Sequence, residues 1–176
     1  MKKVTVVEDM LVRTSIYVPA FINAGIIVHQ VLIYFRNASM AVEERQQRLD
    51  DLKTQIDYPS EVKVNAIGPD NFIDIFERDI QDDNIVFVLD DRLNIGETTL
   101  GSVSTWIKEE CISRRHISVD KFFFYTTHPE SREILERNFP DHVLPCLVST
   151  HDRSGLMVVD LDFAMCGSFM RAIESN

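Results

Sequence analysis

Two apolar runs in this chain stop on carboxylates: Val86, Phe87, Val88 and Leu89 lead into Asp90 and Asp91, and Val4 to Val7 lead into Glu8 and Asp9. Strands so apolar suit a parallel sheet buried on both faces. In such a sheet the strand ends deliver their side chains to one carboxyl edge, where ligands and ions bind. Carboxylates crowded at that edge repel one another unless a hard cation sits among them, and Mg²⁺, which takes carboxylate and water oxygens, is the expected ion. The chain therefore reads as an α/β domain organised around an acidic, cation-binding pocket.

The rest of the pattern extends this reading to a doubly wound, mainly parallel sheet of five or six strands with helices on both faces. Strands are expected at Lys3 to Val7, Ile26 to Phe35, Val62 to Ile67, Ile85 to Leu89 and Phe122 to Tyr125, each an apolar, β-branched or aromatic run. Between them, residues spaced three and four apart predict helices. The first covers Val12 to Ala24 and should be kinked or late-starting because Pro19 removes a hydrogen bond. A second, capped by Asn37 or Ser39, runs to about Asp57 with Val42, Leu49, Leu52 and Ile56 on one stripe and Arg45 among the residues off it. Later helices carry Phe72, Ile73, Phe76 and Ile80; then Leu100, Val103, Ile107 and Cys111 from a start at Thr98 or Thr99; then a segment opened by Thr127, Pro129 and Glu130. Val143 to Val148 and Leu156 to Val159 suggest a hairpin or an irregular return, and Phe163 to Ile173 a closing helix.

One domain accounts for all 176 residues, a length that buries a sizeable core without disulfides. A formal charge of -10 disfavours nucleic acid and anionic lipid as partners. No run approaches the roughly 20 apolar residues of a membrane span, and no signal peptide is visible. The three cysteines, Cys111, Cys146 and Cys166, lack the spacing of a zinc site and read as buried thiols in a reducing cytoplasm. A cytoplasmic protein is expected.

Three separated stretches, in order, resemble the receiver domains of two-component response regulators. Val6-Val7-Glu8-Asp9-Met10-Leu11-Val12-Arg13 is similar to that family's first strand and acidic pair. Leu89-Asp90-Asp91-Arg92-Leu93, with Gly101 downstream, is similar to its phosphoacceptor loop, and Phe124-Tyr125-Thr126-Thr127-His128 to its hydroxyl-bearing fourth strand end. The resemblance covers about two thirds of the chain. It implies a flavodoxin-like fold, Mg²⁺ held by Glu8, Asp9 and Asp90, phosphoryl transfer to Asp90 from a histidine kinase or phosphotransfer protein, and Thr126 as the hydroxyl that bonds the phosphoryl group. A carboxylate nucleophile gives a labile acyl phosphate, and the cation neutralises charge on the transferring oxygens.

The chain departs from the family at the fifth strand, where Asp141-His142-Val143-Leu144-Pro145-Cys146-Leu147 aligns Cys146 with the usual lysine. A thiol cannot replace a fixed ammonium charge, so phosphorylation should be impaired and the domain atypical or degenerate. The segment of about 36–60 is an insertion relative to a minimal receiver, and about 149–176 is atypical. The leading expectation is a stand-alone signalling domain that works by protein–protein interaction, with at most autophosphorylation as its chemistry. The partner itself is not named by the sequence. Val42, Leu49 and Ile56, seven apart, leave room for a partner helix, a homodimer among the options. The competing reading is a metal-dependent phosphohydrolase or nuclease-like domain using Asp160 and Asp162 after the run Leu156 to Val159.

Overall fold

The apolar runs do form parallel strands. In the computed structural model of the chain, which describes residues 1–56, 58–93, 103–126, 129–144, 149–151, 157–159 and 167–175, five strands make one sheet: β1 Lys3–Glu8, β2 Ile27–Tyr34, β3 Val64–Ile67, β4 Ile85–Asp90 and β5 Phe122–Tyr125. Their spatial order is β3-β2-β1-β4-β5, and every neighbouring pair is parallel. A short parallel bridge from Phe124 to Val143 continues the sheet past β5, with Leu144 N–H donating to Phe124 O at 2.7 Å. A separate antiparallel pair, β6 Ser149–His151 and β7 Met157–Val159, follows. Of the run expected over Val143 to Val148, Val143 makes this bridge, and residues 145–148 lie outside the described residues.

Helices cover both faces, as parallel connections require. Alternate strand residues sort cleanly between two cores. Val4, Val6, Val31, Ile33, Val86, Val88 and Phe123 pack with Leu11, Val18 and Phe21 of α1 (Leu11–Asn23), Leu49 of α2 (Val42–Lys53) and Phe169 and Ile173 of α6 (Gly167–Glu174). Val7, Leu32, Ile85, Phe87, Leu89, Phe122 and Phe124 pack with Phe72, Phe76 and Ile80 of α3 (Phe72–Ile80), Val103 of α4 (Val103–Trp106), Ile107 and Cys111 of the π-helix that continues α4 (Ile107–Arg114), and Leu135 of α5 (Pro129–Asn138). Burial pushes the Cys111 thiol up to about 12, so it stays protonated. The fold is doubly wound.

β3, which follows the segment of about 36–60, is an edge strand outside β2, and the order β2-β1-β4-β5 is that of the first four strands of flavodoxin-type sheets, with the switch point between β1 and β4.

Three local expectations change. α1 runs from Leu11 to Asn23 with Pro19 inside it, so it does not start late. The cost of Pro19 is met by burying the helix's apolar side, Val18 and Phe21 included, which outweighs one lost backbone bond. The heptad-spaced stripe of α2 is largely spent on the core, because Leu49 is buried and Ile56 packs beside it while Val42 stays exposed. Arg45, expected on the solvated side, is buried and ion-paired with Asp70, its guanidinium lying where Gly68 leaves no Cβ. The helix start at Thr98 or Thr99, the Thr127 cap and the first part of the closing helix fall outside the described residues.

A buried polar chain ties the first three strands to α3. The Asp79 carboxylate accepts from Thr5 Oγ1 at 3.2 Å, Gln30 Nε2 at 2.5 Å and Arg78 Nε at 3.3 Å, and Asn65 Nδ2 donates to Gln30 Oε1 at 3.1 Å. Removing the acceptor leaves buried donors without partners. Asp79→Ala is therefore expected to destabilise the protein by about 3 kcal/mol in urea unfolding. A loss below about 0.5 kcal/mol, the range of neutral surface changes, would show that the network does not hold these strands.

Candidate functional site

The alternation that sorts the core continues to the strand ends. Glu8 follows Val4 and Val6, Asp90 follows Val86 and Val88, and Tyr125 follows Phe123, so all three lie on the α1 side of the sheet at its carboxyl edge. The register confirms their neighbourhood, pairing Val7 with Leu89 and Asp90 with Tyr125. One carboxylate oxygen from each of Glu8, Asp9 and Asp90 falls within 4.8 Å of the others. The predicted convergence is present, and it occurs at the topological switch point.

Each acid is held differently. Glu8 is fully buried. Its Oε1 accepts from the backbone N–H groups of Asp9 at 2.9 Å and Met10 at 3.2 Å, and its Oε2 accepts from the Tyr125 hydroxyl. Asp9 Oδ2 accepts from Arg36 Nη2 at 2.5 Å, and the same nitrogen donates to Arg92 O at 3.3 Å. Asp9 Oδ1 is buried and accepts no hydrogen bond. Asp90 Oδ1 accepts from Arg92 N–H at 3.3 Å.

Asp91, next to Asp90 in sequence, does something else: its carbonyl and its Oδ1 receive the Val103 and Ser104 N–H groups, each at 3.2 Å, so it caps α4. Only Asp90 of that pair belongs to the acidic cluster. Thr126 is buried one residue beyond Tyr125, at the end of the strand beside β4, which puts it on the same edge. Cys146, Asp160 and Asp162 lie outside the described residues.

Arg13 stands among the three carboxylates. Its Nη1 is 3.4 Å from Glu8 Oε1, 3.5 Å from Asp90 Oδ2 and 3.9 Å from Asp9 Oδ1. Burial opposes the charge on Arg13, but Glu8, then Asp90 and Asp9, hold its pKa above the ordinary arginine value. The acids respond in the opposite sense. Burial, reinforced by the Asp90 charge, pushes Glu8 up to about 8 against the pull of Tyr125 and Arg13, so at pH 7 Glu8 mostly keeps its proton. Burial also raises Asp90, opposed by its bond from Arg92 and assisted by Asp9. Tyr125 is driven well above its usual value by burial and by the neighbouring Glu8 and Asp90, and so remains a hydrogen-bond donor.

Arg13, Arg36 and Tyr125 belong to the site although no chemical role follows for them from sequence pattern alone. Two signals were available. Arg13 is one helical turn beyond Asp9, and Tyr125 shares the strand parity that faces Glu8. For Arg36, distant in sequence from every acid it meets, no local signal exists.

Chemically, this edge offers the hard oxygen donors of three carboxylates and two guanidinium groups. Among the described residues no helix is long and apolar enough to cross a membrane. Compared with protein-family models, curated proteins and solved structures, the chain gives no match.

Proposed function

We propose that this chain is a receiver-like signalling domain that acts by binding another protein, with Asp90 as the group that takes a phosphoryl group from a histidine kinase or phosphotransfer protein. The observation that carries the reading is the meeting of Glu8, Asp9 and Asp90 from two adjacent parallel strands at the switch point of a doubly wound sheet. An acyl phosphate there needs an oxygen nucleophile in line with the donor and positive charge beside the transferring oxygens. Asp90 is the nucleophile in this reading. Thr126, at the end of the next strand, is the hydroxyl for a phosphoryl oxygen.

The donor set suits Mg²⁺: three carboxylates of hard oxygen, one of them, Asp9 Oδ1, buried with no hydrogen-bond donor of its own. Glu8, Asp9 and Asp90 would hold the ion, and when bound it supplies neutralising charge for phosphoryl transfer. With Cys146 in the position of the family's lysine, a slow or partial reaction is in keeping with this reading, and partner binding that ignores phosphorylation is its limiting form.

Incubation with a small acyl phosphate and Mg²⁺, followed by intact-mass measurement, tests the assignment. Wild type is expected to gain one phosphate and Asp90→Asn none. A gain in Asp90→Asn equal to that of wild type would remove Asp90 from the role. No gain in either leaves the phosphorylation-independent interaction module and the metal-dependent phosphohydrolase or nuclease-like reading.

A further inference from the structure

A guanidinium already stands beside the three acids that a divalent cation would need. We infer that Arg13 is an internal counter-ion that holds the acidic pocket closed to divalent cations, and that it must swing away before Mg²⁺ can bind to Glu8, Asp9 and Asp90. The inference rests on the metal-binding reading of the pocket proposed above and adds to it a gate built from this chain's own α1.

Position comes first. Arg13 Nη1 lies between 3.4 and 3.9 Å from an oxygen of each acid. An ion bound by these oxygens at about 2.0–2.1 Å would lie closer to them than this nitrogen does, so two positive charges would compete for one set of acids at short range. Fit comes second. Charge-assisted N–H···O bonds at their best are about 2.7–2.9 Å, so Arg13 is shared loosely among three acids rather than locked to one. Asp9 Oδ1 stays without a hydrogen bond even with Arg13 nearby. The guanidinium balances charge without satisfying every oxygen, which leaves a small ion something to gain.

Freedom to move is the third element. The Arg13 side chain is 29% exposed, with a path to solvent, whereas Glu8 is pinned by Asp9, Met10 and Tyr125. Arg36 remains beside Asp9 when Arg13 leaves, so the outer acid does not lose its partner. The gate is thus a single flexible side chain working against a rigid set of acids. It makes the metal affinity of the pocket a difference between two cations competing for the same oxygens.

Titration calorimetry with MgCl₂ on wild type, Arg13→Ala and Arg13→Gln tests the competition, read together with melting temperature in the absence of the ion. Gln keeps an amide donor, so the position is still sampled if the Ala variant fails to fold. Both variants should melt lower than wild type without Mg²⁺ and bind Mg²⁺ about tenfold tighter or more, within the range usual for coupling between sites. In wild type, side-chain NMR should show the Arg13 guanidinium signal shifting as Mg²⁺ is added, a readout that needs no variant. Equal Mg²⁺ affinity in all three proteins, with no movement of the Arg13 signal, overturns the gate while leaving the metal site standing. No Mg²⁺ binding by any of them overturns the gate and the metal reading together.

Discussion

Glu8→Gln should flatten the pH dependence of stability between about pH 5 and 8. The reason is the raised pKa of Glu8. A carboxyl whose pKa is 4.5 in the unfolded chain and about 8 in the fold binds more protons in the native state throughout that window. Stability then falls as pH rises, at up to about 1.4 kcal/mol per pH unit, because folding must keep a proton that the unfolded chain has released. Asp90, also raised, adds a contribution of the same sign.

Gln at position 8 copies the shape of the protonated acid and cannot ionise. Its carbonyl can still accept from Asp9 and Met10, the partners of Glu8 Oε1. Urea unfolding measured from pH 5 to 8 should therefore show a steep decline for wild type and a slope smaller by about one proton for Glu8→Gln. At pH 8 the variant should be the more stable protein. Parallel curves would mean that Glu8 ionises normally in the fold, through either water access or a tighter hold by Arg13.

Phe76→Ala should cost about 3–5 kcal/mol, the range for deleting a large aromatic from a packed core. Phe76 is fully buried on α3 and contacts four other rings: Phe72 at 5.4 Å, Phe87 at 4.6 Å, Trp106 at 5.1 Å and Phe122 at 6.2 Å between centroids. It joins α3 to the strands that carry Asp90 and Tyr125, and to the start of the helix that Asp91 caps. Against a total stability of about 5–15 kcal/mol, the loss should bring the urea midpoint down sharply. Trp106 is the only tryptophan in the chain, and its fluorescence should report the loosened packing directly. A loss below about 1.5 kcal/mol would indicate that neighbouring rings collapse into the space.

Much of this architecture was legible in the order of residues. Five apolar runs were readable as parallel strands because a strand buried on both faces needs no alternation, only length and β-branched or aromatic content. Glu8, Asp9 and Asp90 were readable as one cluster because strand ends share an edge in such a sheet. Pro19 misled as to where α1 starts, because a local rule about one missing hydrogen bond says nothing of the apolar surface that α1 buries. Arg45 misled because a charged residue off a helix's apolar stripe usually meets water, and only the loop at Gly68 to Asp70 supplies its buried partner.

Sequence alone determined the class of fold and the acidity of one edge, since both follow from which residues are apolar and where each run stops. Tertiary structure decided the strand order that sets β3 at the edge of the sheet, the separation of Asp90 from Asp91 into cluster member and helix cap, and the presence of Arg13, Arg36 and Tyr125 among the acids. The physical reason is range. Burial patterns and turn chemistry act over a few neighbouring residues, whereas the meeting of Tyr125 with Glu8, 117 positions apart, exists only after strands and helices have packed.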